Sequence, residues 1–296
     1  MKNFVKWGVA SLLMAAMCVN FCSCSENDDD KDKHGIGNGD DNGKDNPDVG
    51  NGSLVVNPSN VFTGLMPKSV MGATFTYNSD GQVVEVVTED GERLSFTYGS
   101  GLVSRAINPE RTIKVVGEWF ILNMEVGDNG FVRYCEEVYI DDEDDYEIDT
   151  WEFGYNSDGQ LNYMKRSEGG NEVTNITYQN GNITKVKMRS EEDGEGSDYT
   201  VGYTSASYPT MIENKGCLML FDETFGIDMD EMWYVYYAGL LGKPTKNLPA
   251  FLTETYSDSP SDTYIETFTW QFNSDGYPTK MVANSDWGWD DYYFRW

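Results

Sequence analysis

Trp287, Trp289, Tyr292, Tyr293 and Trp296 crowd the end of the chain, and flat aromatic faces of this kind stack on sugar rings. Tyr292, Phe294 and Trp296 alternate as one face of a half-buried strand does. That set is assigned to a core, which leaves Trp287 and Trp289 as the candidates for stacking on a ligand. Acids are the other abundant chemistry, 50 Asp and Glu in all, and two of them facing each other across a cleft would make a glycosidase pair. The sequence singles out no such pair. The only histidine, His34, lies in a low-complexity stretch, and nucleophile elbows, zinc motifs and phosphate loops are absent. No cofactor and no metal is therefore called for. Cys135 and Cys217 form a candidate disulfide if the chain is exported.

Two acidic patterns invite a calcium reading. Asn-Ser-Asp-Gly, which occurs at residues 78–81, 156–159 and 273–276, has the offsets of part of an EF-hand loop. The rest of that loop fails: the first ligand would be Thr76, Gly154 or Gln271 and the last Val87, Lys165 or Val282. The run Asp141-Asp142-Glu143-Asp144-Asp145 is read more simply as a solvated hairpin tip.

The elements that must carry these residues are strands. Phe75-Thr76-Tyr77, Trp151-Glu152-Phe153-Gly154-Tyr155 and Trp270-Gln271-Phe272 each alternate aromatic and small or polar residues directly before an Asn-Ser-Asp-Gly segment. Asn opens a type I turn, Ser and Asp occupy its centre, and Gly takes the left-handed position that forms the bulge. Looser copies end at Gly101 and Gly181. The fold class expected is all-β, mainly antiparallel: a curved or barrel-like meander of about 12–15 strands, this being the hairpin spacing run over residues 61–296. One segment breaks the pattern. Met229, Met232, Trp233, Tyr236, Tyr237, Leu240 and Leu241 follow helical spacing, with Asp228 as cap, Glu231 reaching back, and Gly242 and Pro244 as stop. A helix over 229–241 packed against the sheet follows, as core in the first instance and as a lid over a ligand cavity in the alternative.

Lys2 and Lys6 precede an apolar run at residues 8–19, the length of a signal-peptide core and too short to span a bilayer. Phe21-Cys22-Ser23-Cys24 resembles a bacterial lipobox, so residues 1–23 are expected to be removed and Cys24 to be lipidated. Ser25-Glu26-Asn27-Asp28-Asp29-Asp30 resembles the acidic signal that sends Bacteroidetes lipoproteins to the outer face of the outer membrane, and a Gly-, Asn- and Asp-rich spacer continues to residue 60. The formal charge is -29; removing Lys2 and Lys6 leaves 19 basic against 50 acidic groups, or -31. Such a balance excludes nucleic acid as a partner and leaves the membrane, through the lipid, and a glycan or surface protein.

The hairpin units, the run Tyr236-Tyr237-Ala238-Gly239-Leu240-Leu241-Gly242-Lys243 with Lys246-Asn247-Leu248-Pro249 after it, and the lipobox together resemble an uncharacterised Bacteroidetes lipoprotein family with a β-rich, porin-like domain of unknown function. YD-repeat hairpins are a weaker likeness. The chain is read as a surface lipoprotein of binding or structural role, with a glycan-binding component or a carboxylate-pair hydrolase as alternatives; the resemblance itself implies no activity. It carries no functional residues over.

Overall fold

The computed structural model describes residues 56–99, 111–140 and 148–296. The expected lipid anchor at Cys24, the acids behind it and the acidic run at residues 141–145 fall outside them. The last residues of the expected spacer do not: Val56 and Pro58 are buried, and Pro58–Asn60 forms a 3-10 turn capped by Asn57. Two apolar groups at the end of a polar stretch are enough to fold it onto the domain.

The strands run β1 (Ser69–Val70), β2 (Ala73–Tyr77), β3 (Val83–Val87), β4 (Arg93–Tyr98), β5 (Thr112–Val116), β6 (Phe120–Val126), β7 (Val132–Tyr139), β8 (Ile148–Tyr155) and β9 (Leu161–Arg166). They continue as β10 (Glu172–Gln179), β11 (Asn182–Ser190), β12 (Ser197–Gly202), β13 (Ile212–Glu213), β14 (Asn247–Leu248), β15 (Phe251–Tyr256), β16 (Thr263–Phe272), β17 (Pro278–Ser285) and β18 (Gly288–Arg295). All but β13 and β14 join one antiparallel barrel in chain order, closed by Val70 of β1 against Phe294 of β18. Among the described residues that makes 16 strands in the wall, a little above the expected range, because β1 is only two residues long and leaves no periodic trace.

The three Asn-Ser-Asp-Gly segments are the hairpin turns expected, and all open the same end of the barrel. Gly81, Gly159 and Gly276 have φ of 77°, 81° and 80°. In each the Asn side chain accepts two backbone amides, as Asn156 Oδ1 does from Asp158 and Gln160 at 3.0 Å, and the ladder slips by one residue beside the turn.

The polarity of the wall is inside out relative to a lipid-facing barrel. Inward positions such as Phe75, Leu94, Met124, Trp151, Met164, Val186 and Met281 are buried and apolar. Outward positions carry charge: Arg93 pairs with Glu85 (2.9 Å), Lys165 with Glu191 (2.6 Å), Arg189 with Asp198 (2.8 Å) and Lys280 with Asp291 (2.7 Å). Each Lys or Arg in the middle of a lipid-facing wall would cost about 2–4 kcal/mol.

The apolar interior is filled by the connection between β12 and β15, residues 203–250, which enters the barrel as a plug. It contains α2 (Phe221–Phe225) and α3 (Met232–Tyr237), after a four-residue α1 (Glu168–Asn171) in the β9–β10 turn whose Gly169 and Gly170 are left-handed. Val132 donates its amide to Leu240, Lys243 to Gly159, and Lys246 to Gly181, so the plug continues the backbone ladder at three hairpin ends (2.8, 2.8 and 2.9 Å). Phe62, Phe75, Tyr236 and Tyr237 meet within ring distances of 5.0–6.3 Å, joining plug and wall in a single core.

The expected helix over 229–241 is corrected. It spans six residues, not thirteen positions, and lies inside the barrel. Asp230 at φ 38° prevents an earlier start, and Gly239 at φ 79° ends the turn before Leu240. The Asp228 cap is not formed, because Arg166 on the wall takes both Asp228 (2.9 Å) and Asp230 (2.8 Å). A buried guanidinium competes for these carboxylates better than a helix terminus does.

Candidate functional site

The chemistry gathers at the end of the barrel opposite the Asn-Ser-Asp-Gly turns. There the β15–β16 and β17–β18 hairpins project side by side. Tyr256 and Tyr264 share the inward face of their strands with Glu254 and Glu266, since residues two apart point the same way. Trp287 sits in the two-residue loop between Ser285 and Gly288. The three rings form a row: Tyr256 to Tyr264 at 5.6 Å, edge to face, and Tyr264 to Trp287 at 6.5 Å, stacked. Trp287 is 79% exposed and Tyr264 38%, so the row offers open aromatic surface instead of filling a core.

Of the two tryptophans singled out in the sequence, Trp287 joins this row. Trp289, 72% exposed, lies on the outer wall opposite Asn284 and stands apart from it. Tyr256 and Tyr264 give no such signal in the sequence, because their strand alternation marks them as inward, yet both stay partly exposed.

Below the row lie acids. Glu254, Glu266 and Asp290 come from the wall and Asp222 and Glu223 from α2. Burial, then Asp290, Asp222 and Glu254, pushes Glu266 up to about 7. Burial, then Asp222 and Glu266, pushes Glu223 up to about 7. Beside them a cavity of about 270 Å³ is lined by Phe221, Asp222, Glu223, Asp228, Asp230 and Trp233, with Met71 and Met229. Trp233 is thus half-buried at a cavity wall, its ring on Tyr234 at 3.9 Å, while Tyr236 and Tyr237 are the fully buried members of α3. A larger hollow of about 580 Å³ lies at the β1–β18 seam, lined by Lys68, Phe294 and Arg295 among others. Its Lys68 Nζ is taken by the Trp296 carbonyl at 2.9 Å.

Cys135 and Cys217 are free and buried, so the candidate disulfide is not formed. Cys135 faces inward on β7 between Met124 and Trp151; Cys217 belongs to the plug, where its carbonyl accepts from Tyr236 Oη at 2.7 Å. The two thiols have different neighbours, Glu136 and Glu137 beside Cys135 and Thr63 beside Cys217. One carboxyl pair does meet, a buried Glu137 with a half-buried Glu231, but side chain against side chain. No sugar fits between touching carboxyls, so this pair lacks the geometry of a glycosidase. Among the described residues no group of three or more side chains is placed to hold a metal ion, and no helix is long and apolar enough to cross a membrane.

No curated protein matches this sequence. Among solved structures, a porin-like protein from Bacteroides uniformis superposes with a TM-score of 0.53 at 16% identity, covering 75% of this chain and 88% of that one. A porin-like protein from Bacteroides vulgatus superposes with the same score at 10% identity, covering 78% of this chain and 99% of that one. At these identities the likeness is one of fold, and it agrees with the closed all-β barrel. Residues 94–280, well over half of the chain, match the family described as a domain of unknown function (DUF4595) with porin-like fold, and the chain belongs to that family.

Proposed function

We propose that this protein is a lipid-anchored component of the outer membrane, held at the cell surface by Cys24, that binds a glycan on the aromatic row Tyr256, Tyr264 and Trp287. The single observation that carries the binding reading is the row itself. Aromatic rings left open to water at two neighbouring hairpin ends cost solvation without filling space, and a sugar ring of matching breadth recovers that surface. The anchor reading rests on the lipobox ending at Cys24 and the acids at Asp28, Asp29 and Asp30 behind it. The outward charges of the wall support a barrel that sits beside the membrane and does not span it.

Binding is tested on a glycan array with the Cys24→Ser protein, otherwise full length, against Tyr264→Ala and Trp287→Ala. Loss of the array signal in both, with Trp119→Ala, exposed elsewhere, unchanged, is the expected result. A signal that survives both substitutions rejects the row as the site. For the anchor, labelled fatty acid should enter the natural protein and not Cys24→Ser, and replacing Asp28, Asp29 and Asp30 by Ala should leave the lipid while protecting the protein from added protease. Equal protease cleavage of the two would remove the surface reading.

A further inference from the structure

Two acids tie the plug to the barrel wall. Glu137 on β7 points inward, is 1% exposed, and accepts from Trp151 Nε1 at 2.8 Å through its Oε2. Glu231, on which α3 begins, meets it side chain to side chain. Each carboxyl then holds one buried oxygen with no hydrogen-bond partner in the protein, Oε1 of Glu137 and Oε2 of Glu231. As two carboxylates they can only accept, so both oxygens stay bare and the charges repel. A single proton between them turns one carboxyl into a donor and satisfies both.

The surroundings supply no other remedy. Facing the pair are Tyr139 and the Cys135 thiol from β7, Asp230 from the plug, Glu168 from the β9–β10 turn and Glu92 from the β3–β4 turn, all neutral or acidic. The nearby cation, Arg166, is taken by Asp228, Asp230, Glu172 and Glu168. The cluster also offers no set of three metal ligands.

We propose that Glu137 and Glu231 share one proton, that this proton latches the plug to the wall, and that its loss frees residues 228–234 and reshapes the mouth cavity. Asp228, Met229, Asp230 and Trp233 line that cavity and flank Glu231 in the chain, so release of the latch reaches the mouth directly. Burial and the charge of Glu231 push the Glu137 carboxyl up to about 8, and burial raises Glu231, which puts proton loss just above neutrality. The latch is independent of what the aromatic row binds.

Hydrogen exchange of residues 228–234, in the Cys24→Ser protein and corrected for the intrinsic pH dependence of exchange, reads the latch. Opening should rise about tenfold per pH unit between pH 7 and 8, above the range in which Asp230 of the same segment gives up its own proton, the linkage expected of one proton held in the closed form only. Glu137→Gln keeps a donor for Glu231 and should flatten that rise, and Glu231→Gln should do the same, while Glu266→Gln at the mouth should leave the slope as it was. An equal slope in the two latch variants and the parent, or a slope abolished equally by Glu266→Gln, overturns the proposal. Should the latch variants fail to fold, the carboxyl carbon shift of Glu137 in the unsubstituted chain decides: a titration midpoint above about 6 supports the latch, and one at or below that value, nearer the ordinary glutamate value, overturns it.

Discussion

At the scale of single residues, the turn glycines were legible because their conformation is forced. Gly81 has open space around it, so a Cβ there meets nothing and only φ of 77° opposes it. Gly81→Ala should therefore cost about 1–2 kcal/mol, the left-handed penalty alone. Gly159 has Phe131 and Lys243 within van der Waals reach of a Cβ, so Gly159→Ala should cost more than Gly81→Ala in paired urea unfolding curves. An equal or reversed order would mean that the plug does not rest on the β8–β9 turn. Side-chain neighbours across the barrel were not legible. Arg166 reads in sequence as one polar position of a strand, yet it carries four acids from two parts of the chain, because closure of the sheet and entry of the plug bring them together. The same holds for Tyr256 and Tyr264, whose neighbour Trp287 arrives on another hairpin.

At the scale of elements, periodicity located strands well and misjudged the helix. Met229, Leu240 and Leu241 share the spacing of α3 without sharing its backbone, since each is buried by the wall and not by a helical face. Apolar spacing records burial, and a segment enclosed by a barrel is buried whatever its conformation. The roles within α3 change accordingly. Tyr236 is fully buried and its hydroxyl donates to the Cys217 carbonyl, whereas Trp233 borders the cavity. Tyr236→Ala should cost about 3–5 kcal/mol, and Tyr236→Phe about 1–3 kcal/mol, since it strands one buried carbonyl. Trp233→Ala should cost less than Tyr236→Ala because solvent already reaches its ring. Denaturant midpoints in the order Tyr236→Ala, then Trp233→Ala from least stable upward test this, and the reverse order would place the core of α3 on the wrong residues.

At the scale of the whole molecule, all-β composition and hairpin repeats made a curved sheet legible, but neither closure nor the plug. Closure depends on Val70 meeting Phe294, a contact between two ends that no local pattern encodes, and the plug is written in sequence only as a long connection with Leu, Met and Tyr in it. What the enclosure does to acids gives the last prediction. Glu137, Glu223, Glu266 and Asp230 are held in or at the mouth of the lumen, and burial leads in raising each: to about 8 for Glu137 and about 7 for the other three. In the unfolded chain these groups titrate near 4 to 4.5. The folded form therefore binds more protons between those values and about pH 8, and stability falls as pH rises through that window. The sign is opposite to that of a protein whose carboxylates are held ionised by salt bridges, which weakens on acidification. Thermal midpoints should be higher at pH 5.5 than at pH 8.5, and the difference should shrink in Glu266→Gln, which removes one of the four groups without touching the latch. A midpoint that rises from pH 5.5 to 8.5 would show that these acids are ionised in the fold, and that the lumen mouth is open to water and counter-ions instead of enclosed.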